Sequence, residues 1–156
     1  LEEALELAKI VTSVTHDHPE GIRGAQAATA AIFMARQGKS KDEIRQYIHY
    51  CYYRLNFTID ELRPTYKFNA SCMGSVPQAI EAFLESSDFE NSIRLAVSLG
   101  GDSDTIAAIT GSIAEAFYGV PPEIEKKAIS YLDSNLAKLY QEWKAFQASR
   151  APYLVK

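Results

Sequence analysis

Between Ala25 and Ala35, six of eleven residues are alanine, and the stretch lies inside an unbroken helical period. Alanine is the best helix former and has almost no side chain, so such a helix is buried only by bringing other helices close to its own backbone. The rest of the chain offers the same kind of partner. Leu1, Leu5, Ala8 and Val11 or Thr12 recur at helical spacing, predicting a first helix that stops near Thr12. Pro19, behind Asp17 or His18 as cap, opens the alanine helix, which Gly38 ends. Ser40-Lys41-Asp42-Glu43 reads as a capping box before an apolar stripe of Ile44, Tyr47, Ile48, Cys51, Tyr52 and Leu55.

Residues 56–74 lose the period and hold Pro64, Asn69 and Gly74, which predicts a long loop. A helix is expected to resume at Val76-Pro77, with Ser75 and Gln78 as a second capping box, and Ser87 with Glu90 marks a third. That helix closes at Gly100. The next is predicted from Asp104 to about Tyr118, stopping at Gly119-Val120-Pro121-Pro122. Two more follow, from about Glu123 to Leu132 and from about Asn135 to Gln147, the last with Leu136, Leu139, Tyr140 and Trp143 on one face. No segment alternates as a strand does and no heptad persists, so the fold class is all-α, a compact helical bundle in one domain over residues 1–156.

With 16 basic against 20 acidic residues the net charge is −4, and the basic residues are scattered, which speaks against a nucleic-acid or anionic-membrane surface. Cys51 and Cys72 have no metal-ligand spacing and make no disulfide framework, which favours a cytoplasmic location. Apolar runs fall short of bilayer-spanning length and no signal peptide is visible. The chain opens inside a periodic helix without Met, as a piece of something longer would.

Chemistry concentrates at three predicted helix starts. Gly100-Gly101-Asp102-Ser103-Asp104-Thr105 sets two carboxylates and a hydroxyl on one first turn, hard oxygen donors suited to Mg²⁺ or Mn²⁺. The glycine pair lets backbone approach a ligand. The same residues also suit plain capping, with Asp102 as N-cap and Asp104 favoured by the helix dipole. The other two segments are Ser13-Val14-Thr15-His16-Asp17-His18-Pro19 and Asn69-Ala70-Ser71-Cys72-Met73-Gly74-Ser75-Val76-Pro77. Helix N-termini gathered on one face make an anion pocket that suits a phosphorylated substrate. His16 and His18 have the spacing of a zinc pair but no third His or Cys nearby, so a bonded loop histidine is the simpler reading. Ser71 and Ser75 lack a nucleophile elbow and suit capping or phosphate binding.

In series, the segments running from Thr15-His16 to Ala27, from Ser71 to Ile80, and from Ser98 to Ala108 resemble the ADP-ribosylglycohydrolase family, which includes dinitrogenase reductase-activating glycohydrolase. The resemblance implies an orthogonal all-α bundle with two Mg²⁺ or Mn²⁺ ions that hydrolyses the glycosidic bond of ADP-ribosylated proteins or small ADP-ribose conjugates. It implies that Asp102, Asp104 and Thr105 are metal ligands, that His16 lies beside the ADP-ribose site, and that Gly74, Ser75 and Val76 line the pocket. Gly100, Gly101 and Ser103 join the ligand-binding set. The general base is not assigned to any residue. The family's other acidic motif, a Thr with two adjacent aspartates, has no counterpart, since no two aspartates are adjacent in this sequence. The resemblance therefore covers the C-terminal half of the family domain, and the missing ligands are either supplied by a second chain carrying the N-terminal half or lost through truncation, which would leave the protein inactive. A non-catalytic module that binds ADP-ribose or a related nucleotide is the alternative, and a structural helical domain the third reading.

Overall fold

The computed structural model describes residues 1–154, and the side chains of residues 1–149. All of the regular structure is helical, as expected, and no strand occurs among the described residues. The chain separates into two compact units, one of residues 1–119 and one from Val120 onward.

In the first unit, α1 (Glu2–Ser13) leads to α2 (Pro19–Arg36), whose first residue is the proline and whose cap is His18, with Nδ1 accepting the Glu20 N–H at 3.1 Å. α3 (Lys41–Cys51) starts from the expected capping box, with both reciprocal bonds between Ser40 and Glu43 in place. Its apolar stripe is narrower than expected. Ile44 and Ile48 are buried, but Cys51 is exposed, and Leu55 is buried from beyond the helix end.

Residues 56–74 are not all loop. Thr58 and Glu61 form a capping box for a single turn, α4 (Ile59–Leu62), too short for its period to show in sequence. α5 (Cys72–Glu85) begins four residues before the expected start, so Ser75 and Gln78 do not form a capping box. The cap is Ser71, whose hydroxyl accepts the Gly74 N–H at 3.2 Å while its own N–H is held by Asn69 Oδ1 at 2.9 Å. Pro77 thus lies inside the helix, where it removes one backbone bond. α6 (Phe89–Ser98) shifts the other way and is capped one residue later than expected, by Asp88 and not Ser87, with Asp88 Oδ1 accepting the Asn91 N–H at 2.7 Å. A short turn of glycines connects it to α7 (Ser103–Tyr118), which ends at Gly119 with φ at 76°.

The alanine face behaves as its composition requires. Ala27, Ala30, Ala31 and Ala35 are buried against a cluster that includes Ile44 and Ile48 of α3, Ile80, Phe83 and Leu84 of α5, and Ile113 and Ala114 of α7. A second cluster joins Ile59 of α4 and Ala79 and Ala82 of α5 to Ala96 and Leu99 near α6 and Ile106 of α7. How closely α2 meets α5 is shown at Gly24, where a Cβ would stand 3.1 Å from Cys72 Cβ and 3.3 Å from Val76 Cγ2.

Three of these helices run the same way. Near their N-terminal ends Gly24 of α2 faces Cys72 and Val76 of α5. Past the end of α2, Lys41 donates to the Leu84 carbonyl at 3.2 Å and to that of Ser86 at the far end of α5. α7 follows α5 in step: Thr110 donates to the Ala79 carbonyl at 2.9 Å, and Tyr118 to that of Ser86 at 2.9 Å. The first turns of α2, α5 and α7 therefore share one end of the unit.

The second unit holds α8 (Pro122–Ile129) and α9 (Ser134–Leu154). α8 is shorter than expected, and α9 is longer, running on to Leu154 from a start one residue early, where Asp133 Oδ1 accepts the Asn135 and Leu136 N–H groups at 2.9 Å. Glu125 receives Tyr140 Oη and Lys144 Nζ, the latter at 3.0 Å. Leu136, Leu139 and Trp143 are exposed, and Trp143 stacks on Phe146 at 5.6 Å. No helix among the described residues is long and apolar enough to cross a membrane.

Candidate functional site

At the shared end of α2, α5 and α7 stand the three segments singled out in the sequence. The acidic turn is built by its glycines. Gly100 and Gly101 adopt φ of 71° and 61°, a left-handed pair that non-glycine residues avoid, and swing the chain from α6 into α7. Asp102 occupies the N-cap position, yet its side chain makes no capping hydrogen bond. Its carboxylate is therefore not spent on the helix, as the simple capping reading would require.

Asp104 and Thr105 are exposed, Asp102 and Ser103 half-buried. The Thr105 N–H, followed by contact with the Asp102 carboxyl, holds Asp104 below the usual carboxylate range. Two carboxylates in contact at the start of a helix attract cations. Together with the Thr105 hydroxyl they offer hard oxygen donors along one wall, which fits a Mg²⁺ or Mn²⁺ ion in donor chemistry. They do not complete a site, for among the described residues no three His, Cys, Asp or Glu side chains gather into a group that could hold a metal ion.

The second wall comes from residues 66–76. Tyr66 Oη donates to the Gly74 carbonyl at 2.6 Å, and the Tyr66 ring lies against Gly101, where a Cβ would stand 2.8 Å from Cε1. Burial, with the charge of Asp102 as the smaller cause, pushes the Tyr66 phenol up. Gly74 is buried beneath the Asn69 side chain, which would overlap any Cβ there. Ser75 is 5% exposed with its hydroxyl on the Ser71 carbonyl at 3.0 Å, and Val76 is buried toward Gly24. These two side chains face the core, so what the segment turns outward is the helix start itself. α5 has no acidic residue in its first turn, whereas α2 has Glu20 and α7 has Asp104. Its N-terminal dipole is the least compensated of the three.

His16 and His18 divide the third segment. His18 is the α2 cap, and its Nδ1 is committed there. His16 is exposed, with Nδ1 on the Thr15 hydroxyl at 2.8 Å and its carbonyl accepting the His18 N–H at 2.8 Å. The first turn of α2 packs closely beneath it, for a Cβ at Gly21 would stand 2.9 Å from that carbonyl.

Tyr66 and its neighbour Phe68, which is 69% exposed, were not marked by the sequence motifs. The only sign available was two aromatic residues in a stretch without helical period. Their importance comes from Gly101, 35 positions away from Tyr66, which only the fold brings near.

The sequence model of the ADP-ribosylglycohydrolase family matches residues 1–150. An ADP-ribosylarginine hydrolase, Tri1 of Pseudomonas putida, is 32% identical over 151 aligned residues, covering 84% of this chain and 37% of that protein. The ADP-ribosylhydrolase ARH3 of Gallus gallus is 33% identical over 78 residues, 41% of this chain and 21% of that protein. An uncharacterized protein of Archaeoglobus fulgidus is 36% identical over 74 residues, 46% of this chain and 24% of that one. The chain thus spans between 21% and 37% of the length of these relatives. No solved structure matches it.

Proposed function

Since this chain belongs to the ADP-ribosylglycohydrolase family, we propose that it supplies the C-terminal share of a metal-dependent hydrolase that releases ADP-ribose from modified proteins or small conjugates. The observation that carries this reading is the meeting of the acidic turn and the start of α5 through Tyr66, which joins a cation-attracting wall to a helix N-terminus with no acidic residue in its first turn. A pyrophosphate bears negative charge and a ribose bears vicinal hydroxyls. The start of α5 would receive the first, and cations held by Asp102, Asp104 and Thr105 would engage the second.

The bound ions would supply Lewis-acid polarisation and a template for the ribose and the attacking water. The chain's own groups do the rest. The Thr105 N–H holds the Asp104 carboxyl below the usual carboxylate range, and the glycine pair gives the turn its shape. His16, exposed at the same end, would bind the ADP-ribose from the α2 side. Gly74, Ser75 and Val76 would hold the pocket by fixing where α5 begins, and Gly100, Gly101 and Ser103 by backbone approach. The remaining oxygen ligands and the general base would come from parts of the family domain that this chain does not span, whether in the same polypeptide or a second one. Arginine-linked ADP-ribose is the first linkage to test, because the Pseudomonas putida relative is named for it. We place the reaction in the cytoplasm, where the free Cys51 and Cys72 would stay reduced.

Binding without turnover is the second reading. The absence of a three-residue ligand cluster among the described residues favours it for these 156 residues alone. The deciding experiment is Asp104→Asn in the longest natural protein that contains this chain, assayed for Mn²⁺-dependent release of ADP-ribose. The substitution is nearly isosteric and removes one anionic oxygen. Release should be lost while the melting temperature changes little; near-normal release and metal affinity would refute the ligand role of Asp104. Saturable ADP-ribose binding by a wild-type protein without release would establish the second reading.

A further inference from the structure

We infer that Tyr66 is a positioning residue of the candidate site, a brace whose hydroxyl fixes the start of α5 relative to the acidic turn. This rests on the functional reading above. Tyr66 makes two contacts of different kind on the two walls. Its hydroxyl donates to the Gly74 carbonyl at 2.6 Å, and its ring edge lies where a side chain on Gly101 would stand, 2.8 Å from that Cβ position. The following residues continue the contact, for the same Cβ position is 3.1 Å from Phe68 N and 3.2 Å from Phe68 Cα. The strap is tied down at both ends: Tyr66 N–H donates to the Leu62 carbonyl at 2.9 Å, and Asn69 caps the Ser71 N–H.

The geometry gives the two parts of the side chain separate duties. The ring is a spacer between the strap and the glycine turn that carries Asp102. The hydroxyl adds nothing to that spacing, but it fixes the Gly74 carbonyl and, through it, the first turn of α5 where a phosphate group would sit. Loss of the hydroxyl alone should loosen substrate grip without disturbing the cation wall, while loss of the ring should disturb both. One net hydrogen bond corresponds to roughly a tenfold change in an equilibrium constant.

The test uses the longest natural protein that contains this chain, with Tyr66→Phe and Tyr66→Ala beside the wild type. Calorimetry with ADP-ribose, calorimetry with Mn²⁺ alone, release kinetics and melting temperature are measured on each. Tyr66→Phe is expected to weaken ADP-ribose binding and raise KM by about tenfold, leave Mn²⁺ affinity within twofold, and melt within about 3 °C of wild type. Tyr66→Ala is expected to weaken Mn²⁺ binding as well. A purely structural tyrosine would lower the melting temperature and leave KM and ADP-ribose affinity unchanged. ADP-ribose affinity and KM in Tyr66→Phe within twofold of wild type would overturn the inference and leave the functional reading standing. A wild-type protein that neither binds nor releases ADP-ribose would overturn that reading, and the inference with it.

Discussion

Gly100 and Gly101 are neighbours with nearly the same backbone, φ of 71° and 61°, but very different surroundings, and that difference can be measured. A Cβ on Gly100 would meet nothing within 4 Å, so Gly100→Ala carries only the left-handed backbone penalty, roughly 1–2 kcal/mol, offset by a few tenths through a less flexible unfolded chain. Gly101→Ala carries the same penalty and also drives a methyl group to 2.8 Å from Tyr66 Cε1, 3.1 Å from Phe68 N and 3.2 Å from Phe68 Cα. The backbone of Phe68 cannot rotate out of the way as a side-chain tip can. Overpacking of this kind costs about 1–3 kcal/mol, which puts Gly101→Ala at roughly 2–4 kcal/mol against about 1 for its neighbour. Urea denaturation of both variants gives the comparison directly, with the midpoint shift of Gly101→Ala at least twice that of Gly100→Ala. Limited proteolysis adds a local reading, because only the second variant should expose residues 66–70 to cleavage. Equal shifts for the two variants would mean that the 66–68 strap does not lie on the turn. The two-walled site would then have to be abandoned.

Two further predictions concern stability alone. Glu43 is held down to about 2, from an ordinary value of 4.5, chiefly by Lys39 and then by the Ser40 N–H, so its contribution is present above pH 4.5 and lost as pH falls toward 2; Glu43→Gln should flatten the fall of melting temperature across that window. An unchanged slope in the variant would refute this. Glu81 is 1% exposed and receives both arms of Arg45 at 2.7 and 2.8 Å, so Arg45→Ala leaves a buried carboxylate without its partner and should cost about 2–4 kcal/mol in urea, whereas Arg45→Ala with Glu81→Leu should recover most of it. A double variant no more stable than the single one would refute the account.

How much the sequence told depended on the range of the interaction involved. The cap of α2 by His18, the box of Ser40 and Glu43, and the stop at Gly119 are bonds between residues a few positions apart, and their patterns are printed in consecutive letters. The early start of α5 was hidden because two serines four apart compete for the cap, and Pro77 argued for the later one. Asn69 decides the competition by holding the Ser71 N–H. The acidic turn was legible as a cluster of oxygen donors, but that Asp102 leaves its capping bond unmade is a matter of backbone angle, with ψ at 52°. Tyr66 was illegible because its meaning lies in Gly101, and a glycine looks the same in sequence whether its missing side chain is needed or not.

The common direction of α2, α5 and α7 has a consequence for how the chain is made. Helices that run the same way cannot be joined by a tight turn, so each neighbour pair is separated by a return stroke, α3 between the first two and α6 between the last two. The alanine face of α2 therefore emerges during synthesis with half of its partners unborn: Ile80 and Phe83 follow about 50 residues later, and Ile113 some 30 after that. Such long-range closure slows folding and leaves apolar surface uncovered in the interval. Nascent chains that stop short of Ile113 would leave part of the alanine face of α2 without its cover.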